Sequence, residues 1–272
     1  MQPRNRVSRC LFLVCFCALN SQSNAQIFKL SSSPSTITAP YEVVTADINK
    51  DGKPDILCSC SNESAILVFT NDGHGNFGSN AMIIGGSSSL ATGDFNGDGW
   101  PDLACNYITS LEVFTNNGHG VFGSNAVYWL PPGGQSPHCI VATDMNNDGY
   151  LDLVAATTNP GYVTIYTNNG SGVFALETNK LAGNAIWMVA ADVDGDGRQD
   201  LLIANYADNN VLVWLNRGNG AFSVSALSGF YYPQCIVAMD VDGDGRLDLI
   251  AGNLGKETVL DYQYIDSLDK LS

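Results

Sequence analysis

D-V-D-G-D-G-R-Q-D at 192–200 and D-V-D-G-D-G-R-L-D at 240–248 are the last two of five copies of one nine-residue segment. The earlier copies read D-I-N-K-D-G-K-P-D at 47–55, D-F-N-G-D-G-W-P-D at 94–102 and D-M-N-N-D-G-Y-L-D at 144–152. They begin 47, 50, 48 and 48 residues apart. A period of this length marks an array of one supersecondary unit, so the same segment fixes both the architecture and the chemistry.

In every copy positions 1, 3 and 5 are Asp or Asn, position 6 is Gly and position 9 is Asp. Alternate spacing turns three oxygen-bearing side chains toward one concavity, and the Gly permits the sharp turn between them. The candidate donors of the first loop are Asp47, Asn49, Asp51 and Asp55, with the backbone carbonyl of Lys53. The second offers Asp94, Asn96, Asp98, Asp102 and the Trp100 carbonyl, and the third Asp144, Asn146, Asp148, Asp152 and the Tyr150 carbonyl. The fourth offers Asp192, Asp194, Asp196, Asp200 and the Arg198 carbonyl, and the fifth Asp240, Asp242, Asp244, Asp248 and the Arg246 carbonyl. An all-oxygen set with flexible coordination suits Ca2+, at up to five sites. Mg2+ demands a tighter octahedron that keeps its waters, and soft metals would want Cys or His.

An EF-hand needs a bidentate Glu at position 12 and flanking helices. Position 12 is Cys58, Cys105, Ala155, Ile203 and Ala251, and the flanks read as strands, so that motif is excluded. The loops hold 17 Asp residues, which repel one another unless a cation sits between them. At ~2 mM calcium, sites of extracellular strength contribute about 0.6–1.8 kcal/mol each. Five such sites together approach the net stability of a domain, ~5–15 kcal/mol.

Apolar runs of four to six residues flank each loop, as in I-V-A-T before Asp144 and L-V-A-A-T after Asp152, and they read as buried strands. A third strand follows, as in A-I-L-V-F at 65–69, Y-V-T-I-Y at 162–166 and V-L-V-W-L at 211–215. It ends in N-D-G-H-G-N-F from Asn71, N-N-G-H-G-V-F from Asn116, N-N-G-S-G-V-F from Asn168 or N-R-G-N-G-A-F from Asn216. Asn and Gly there are expected to supply positive φ for a tight hairpin, with the Phe anchoring a fourth strand. Four antiparallel strands per repeat and no amphipathic helix between residues 26 and 272 predict an all-β chain, a β-propeller of about five blades.

The D-x-[DN]-x-D-G-x-x-D loop followed by L-x-x-A and N-x-G-x-G-x-F resembles the FG-GAP/VCBS repeats, also found in the propeller of integrin α-subunits. The resemblance runs over residues 27–265 and implies a calcium loop between the first two strands of each blade. It also implies extracellular recognition or adhesion; some members are lectins and some are attached to catalytic domains. Seven blades are usual in the family, whereas five loops are visible here, and the fifth repeat lacks N-x-G-x-G-x-F. Residues 26–32, Q-I-F-K-L-S-S, are expected to give the last blade its fourth strand; the rival expectation is a larger ring or one completed by another chain.

Residues 1–25 read as a secretory signal, with Arg4, Arg6 and Arg9, an apolar stretch from Leu11 to Leu19, and Ser23-Asn24-Ala25 as cleavage site. An exported propeller over 26–272 is therefore expected, with no membrane span. Its formal charge falls from −15 to −18 on loss of three arginines, which argues against nucleic acid or anionic lipid as partner. Cys58, Cys60, Cys105, Cys139 and Cys235 remain, an odd number, and read as small buried apolar residues rather than a disulfide framework. Asn62-Glu63-Ser64 and Asn169-Gly170-Ser171 are glycosylation sequons.

No catalytic constellation stands out. His74 and His119 fall in hairpin turns, and His138 follows the connector P-P-G-G-Q-S-P. The connectors at the end opposite the loops hold Trp129, His138, Tyr231 and Tyr232, with Tyr107, Trp187 and Tyr206 near them, a set suited to a sugar or protein partner or to packing between blades. The favoured expectation is a non-catalytic secreted binding or adhesion module for an extracellular protein or glycan. The alternative is a calcium-dependent polysaccharide lyase or hydrolase.

Overall fold

The computed structural model describes residues 39–60, 64–85, 88–130, 137–158, 161–254 and 260–265. The expected signal at 1–25, the strand at 26–32, the connector at 131–136 and the first two residues of the 62–64 sequon lie outside them. Among the described residues all regular structure is strand. The first sheet holds β1 (Pro40–Ala46), β2 (Asp55–Cys60), β3 (Ala65–Asn71) and β4 (Phe77–Ile84). The second holds β5 (Leu90–Gly93), β6 (Asp102–Tyr107), β7 (Ser110–Asn116) and β8 (Phe122–Trp129). The third is β9 (Pro137–Thr143), β10 (Asp152–Thr157), β11 (Gly161–Asn168) and β12 (Phe174–Gly183). The fourth is β13 (Ala185–Ala191), β14 (Asp200–Asn205), β15 (Asn210–Asn216) and β16 (Phe222–Leu227). The fifth shows β17 (Pro233–Met239), β18 (Asp248–Leu254) and β19 (Leu260–Ile265). Every neighbouring pair is antiparallel and in chain order, as the repeat demanded.

Strands with apolar residues on both faces lie in the middle of a stack of sheets, and β10 and β14 are buried along their whole length. The fourth strands carry mostly exposed side chains, which is why β16 reads F-S-V-S-A-L rather than as an apolar run. Register assigns each pair to a face. Leu90 opposite Cys105 packs back onto the first sheet, beside Leu57, Ile66 and Val68, whereas Ala91 opposite Ala104 packs onward against Ile140 and Leu153 of the third. The rule repeats: Met188 opposite Ile203 faces the third sheet, and Val189 opposite Leu202 faces the fifth. The core is therefore a series of apolar layers, one between each sheet and the next.

One polar chain threads the first three sheets. Glu42 of β1 is buried and accepts the Leu90 N–H through Oε2 at 2.8 Å, while Ser89 Oγ accepts the Ile140 N–H at 2.9 Å. Burial pushes the Glu42 carboxyl up to about 7, against the lowering effect of its hydrogen bonds to Leu90 and Ser89. Because its folded value is the higher one, the stability it contributes is complete below its ordinary value of 4.5 and is lost as pH rises through about 7. Glu42→Gln, which keeps an acceptor without the charge, is expected to be more stable than the parent at pH 8 by roughly 3 kcal/mol and equal to it near pH 4. Urea melts of both chains at the two pH values measure this; an equal gap at both would show that ionisation is not the cause.

Candidate metal centre

Each nine-residue loop joins the first strand of a sheet to the second and is wound around its own leading carboxylate. In the fourth loop Asp192 Oδ1 accepts the N–H groups of Gly195 and Asp196, and Oδ2 accepts that of Gly197 at 2.9 Å. Asp240 does the same with Gly243, Asp244 and Gly245, and Asp47, Asp94 and Asp144 follow closely. The position 6 glycines, Gly52, Gly99, Gly149, Gly197 and Gly245, all lie between φ +84 and +89, where a side chain would strain the turn. Position 5 is held too: Asp51, Asp98, Asp148, Asp196 and Asp244 each accept the N–H of position 7 through Oδ1.

Position 9 reaches across the sheet. Asp55, Asp102, Asp152 and Asp200 each take the N–H of loop position 2 on one oxygen and the N–H of the Asn that ends the third strand on the other. A carboxylate has about four lone-pair sites, so these bonds leave room for a cation. Burial raises the carboxyls of Asp55, Asp102 and Asp200 and pushes Asp152 up to about 6, with the loop's other carboxylates adding to the effect. An adjacent divalent cation acts in the opposite direction.

The strand-ending asparagines have a different role from the one expected. Positive φ in these hairpins comes from the glycines, such as Gly118 and Gly120, and from Asn219 in the fourth, while Asn71, Asn116, Asn168 and Asn216 remain extended and use their side chains. Asn116 Nδ2 donates to the Ile48 carbonyl of the preceding loop at 2.7 Å and to the Pro101 carbonyl of its own. Asn168 binds the Phe95 carbonyl and Asn216 the Met145 carbonyl in the same way. Each amide therefore ties one loop to the next sheet. The loop residues it grips, Ile48, Phe95 and Met145, are buried in the inter-sheet layers, and Val193 is buried at the matching place. The unbroken apolar character of position 2 was a readable signal for this plug.

The position 7 residues Lys53, Trp100 and Tyr150 lean over the hairpin of their own sheet, so that a Cβ built on Gly118 would lie 2.7 Å from Trp100. Lys53, Arg198 and Arg246 pair with the position 5 carboxylates of their loops, Asp51, Asp196 and Asp244, and Arg198 Nε also donates to the Asn216 carbonyl of its hairpin.

The donors fit a hard divalent cation. Oxygens of Asp192, Asp194 and Asp200 lie within 4.8 Å of one another, as do those of Asp240, Asp242 and Asp244. Asp194 Oδ1 is buried without a hydrogen-bond partner, a costly state for a carboxylate oxygen. Asp47, Asn49 and Asp51, Asp94, Asn96 and Asp98, and Asp144, Asn146 and Asp148 occupy the same loop positions in the first three repeats.

The loops and the asparagine hairpins share one end of the sheets. At the other end Trp129 is 71% exposed, and Tyr107, Tyr231 and Tyr232 are also exposed. Tyr232 holds φ +49, steadied by donation of its N–H to Asn209 Oδ1 at 2.7 Å, and its ring packs 5.0 Å from that of Tyr206. Trp187 is instead drawn into the layers on both sides of the fourth sheet, so packing explains it. His138 is half-buried in β9 and its imidazole is shifted down by that burial, whereas His74 and His119 are exposed. Cys58, Cys60, Cys105 and Cys139 are buried, and Cys235 is partly so. No helix among the described residues is long and apolar enough to cross a membrane.

The family model for the FG-GAP-like repeat matches four times, over residues 47–105, 94–155, 144–203 and 192–251. No curated protein matches the chain in sequence. Among solved structures it is similar to an Agrocybe aegerita lectin described as specifically recognising non-reducing terminal N-acetylglucosamine, at 24% identity and TM-score 0.55. That alignment covers 83% of this chain and 65% of the lectin, so the chain spans about two-thirds of the lectin's length. It is also similar to BBS1N, solved in complex with ARL6DN, at 15% identity and TM-score 0.55, over 80% of this chain and 67% of that one. At such identities the likeness is one of fold.

Proposed function

The chain belongs to the FG-GAP-like repeat family, and from that premise we propose that it is an exported, calcium-stabilised β-propeller that binds a glycan or protein ligand without transforming it. In this reading the sheets are the blades, and Ca2+ sits in up to five loops at one end. The ligand meets the other end. The observation that carries the reading is the separation of the two: acidic loops braced by backbone at one end, exposed Trp129, Tyr107, Tyr231 and Tyr232 at the other. Flat amphipathic rings suit sugar faces and protein hot spots alike, since they offer area at low entropy cost.

A glycan array, with N-acetylglucosamine-terminated glycans as first probe because of the lectin likeness, tests this. Trp129→Ala is expected to weaken binding at least tenfold while leaving the melting temperature unchanged, because the ring is largely in solvent. Retained binding by that variant would move the ligand away from this end. Release of a shortened product from a bound glycan would make the protein a polysaccharide lyase or hydrolase instead.

A further inference from the structure

The fourth and fifth loops differ only at position 8, Gln199 against Leu247, and so offer a cation the same side chains. Among the described residues, the fourth has a guanidinium from its own hairpin against it. Arg217, the second residue of N-R-G-N-G-A-F, places Nη1 2.9 Å from Asp194 Oδ2. The Asp194 side chain is only 6% exposed, and its other oxygen is the buried one without a hydrogen-bond partner.

The reason Arg217 reaches the loop lies in hairpin chemistry. The equivalent Asp72 and Asn117 spend Oδ1 on their own turns, accepting the N–H groups of His74 and Asn76 and of His119 and Val121. Asn169 does so with Ser171. A guanidinium has no acceptor to offer. The fourth hairpin closes without a side chain from its second position, with the Ala221 N–H on the Gly218 carbonyl, the Gly218 N–H on Asn216 Oδ1 and Asn219 at φ +55. That leaves the Arg217 side chain to extend to the carboxylates of the neighbouring loop.

We infer that Arg217 is a built-in counter-ion that lowers the calcium affinity of the fourth loop and keeps that loop closed when calcium is scarce. The inference rests on the calcium reading of the loops. A permanently charged guanidinium beside Asp194 repels an entering divalent ion, and it neutralises part of the loop's charge in the ion's absence.

Isothermal titration of the purified full chain with calcium chloride, after chelation, separates the possibilities. In the parent the fourth site is expected to bind more weakly than its loop carboxylates alone would allow. Arg217→Asn, which restores the residue of the second and third hairpins, should raise that site by about tenfold, or roughly 1.4 kcal/mol. Arg217→Lys, which keeps the charge, should leave it weak. In chelator the Asn variant should melt below the parent, because the loop has lost its only counter-charge from the hairpin. Full calcium stoichiometry with an unaltered isotherm for Arg217→Asn overturns this inference alone. Absence of calcium binding by the parent overturns the metal reading, and the inference with it.

Discussion

Removal of calcium by chelation is expected to lower the melting temperature on the order of 10–25 °C, with calcium restoring it and magnesium doing so poorly. The size follows from the loops. Sites of extracellular strength each contribute about 0.6–1.8 kcal/mol at ~2 mM calcium, and five sum to about 3–9 kcal/mol. For a chain above 200 residues each kcal/mol moves the midpoint by about 2–4 °C. The loops are not expected to persist as turns without the ion. Asp192, Asp194 and Asp200 crowd their oxygens within 4.8 Å, and the backbone N–H groups that Asp192 collects can balance only part of that charge. Calorimetry with metal content verified by mass spectrometry tests the expectation. A chain proven metal-free that melts where the loaded one does would show that hydrogen bonds alone hold the loops.

The period and the flanking apolar runs made the sheets legible. L-V-A-A-T after Asp152 and L-L-I-A-N after Asp200 read as buried strands, and both are buried along their whole length. The partners of the asparagines were not legible. Asn168 looked like a turn residue because Asn often is one, yet its amide grips the carbonyl of Phe95, 73 positions earlier. Contact between one repeat's loop and the next repeat's hairpin is a property of stacking, and local propensity carries no record of it. The burial of Glu42 was not legible for a similar reason. It lies in P-Y-E-V-V-T-A, where an alternating strand would put a charge in solvent, and only the arrival of Leu90 from the next sheet buries it. The aromatic residues were legible as a group and not singly, since Trp129 is in solvent while Trp187 is packed between sheets.

Asp200→Ala is expected to destabilise the chain by roughly 3–5 kcal/mol even in chelator, while Asp196→Ala costs about 1 kcal/mol or less there. The two residues share one loop and one proposed ion, so the metal alone would make their losses alike. Their other bonds differ. Asp200 is fully buried and holds the N–H groups of Val193 at 3.0 Å and Asn216 at 2.7 Å, joining the loop to the end of the third strand. Alanine leaves both donors buried without an acceptor, each at about 1–3 kcal/mol. The burial that raises the Asp200 carboxyl works the other way, since removing a poorly solvated charge gives some of this back, but two orphaned amides outweigh it. Asp196 is about a quarter exposed, and water can replace it at the Arg198 N–H and guanidinium. With calcium present the Asp196 variant should lose a further increment equal to one site, and its metal count should fall by one. Denaturant melts of both variants with and without calcium measure the contrast. Equal losses in chelator would mean that the ninth position serves the ion only, and that the ties between loop and hairpin do not govern the fold.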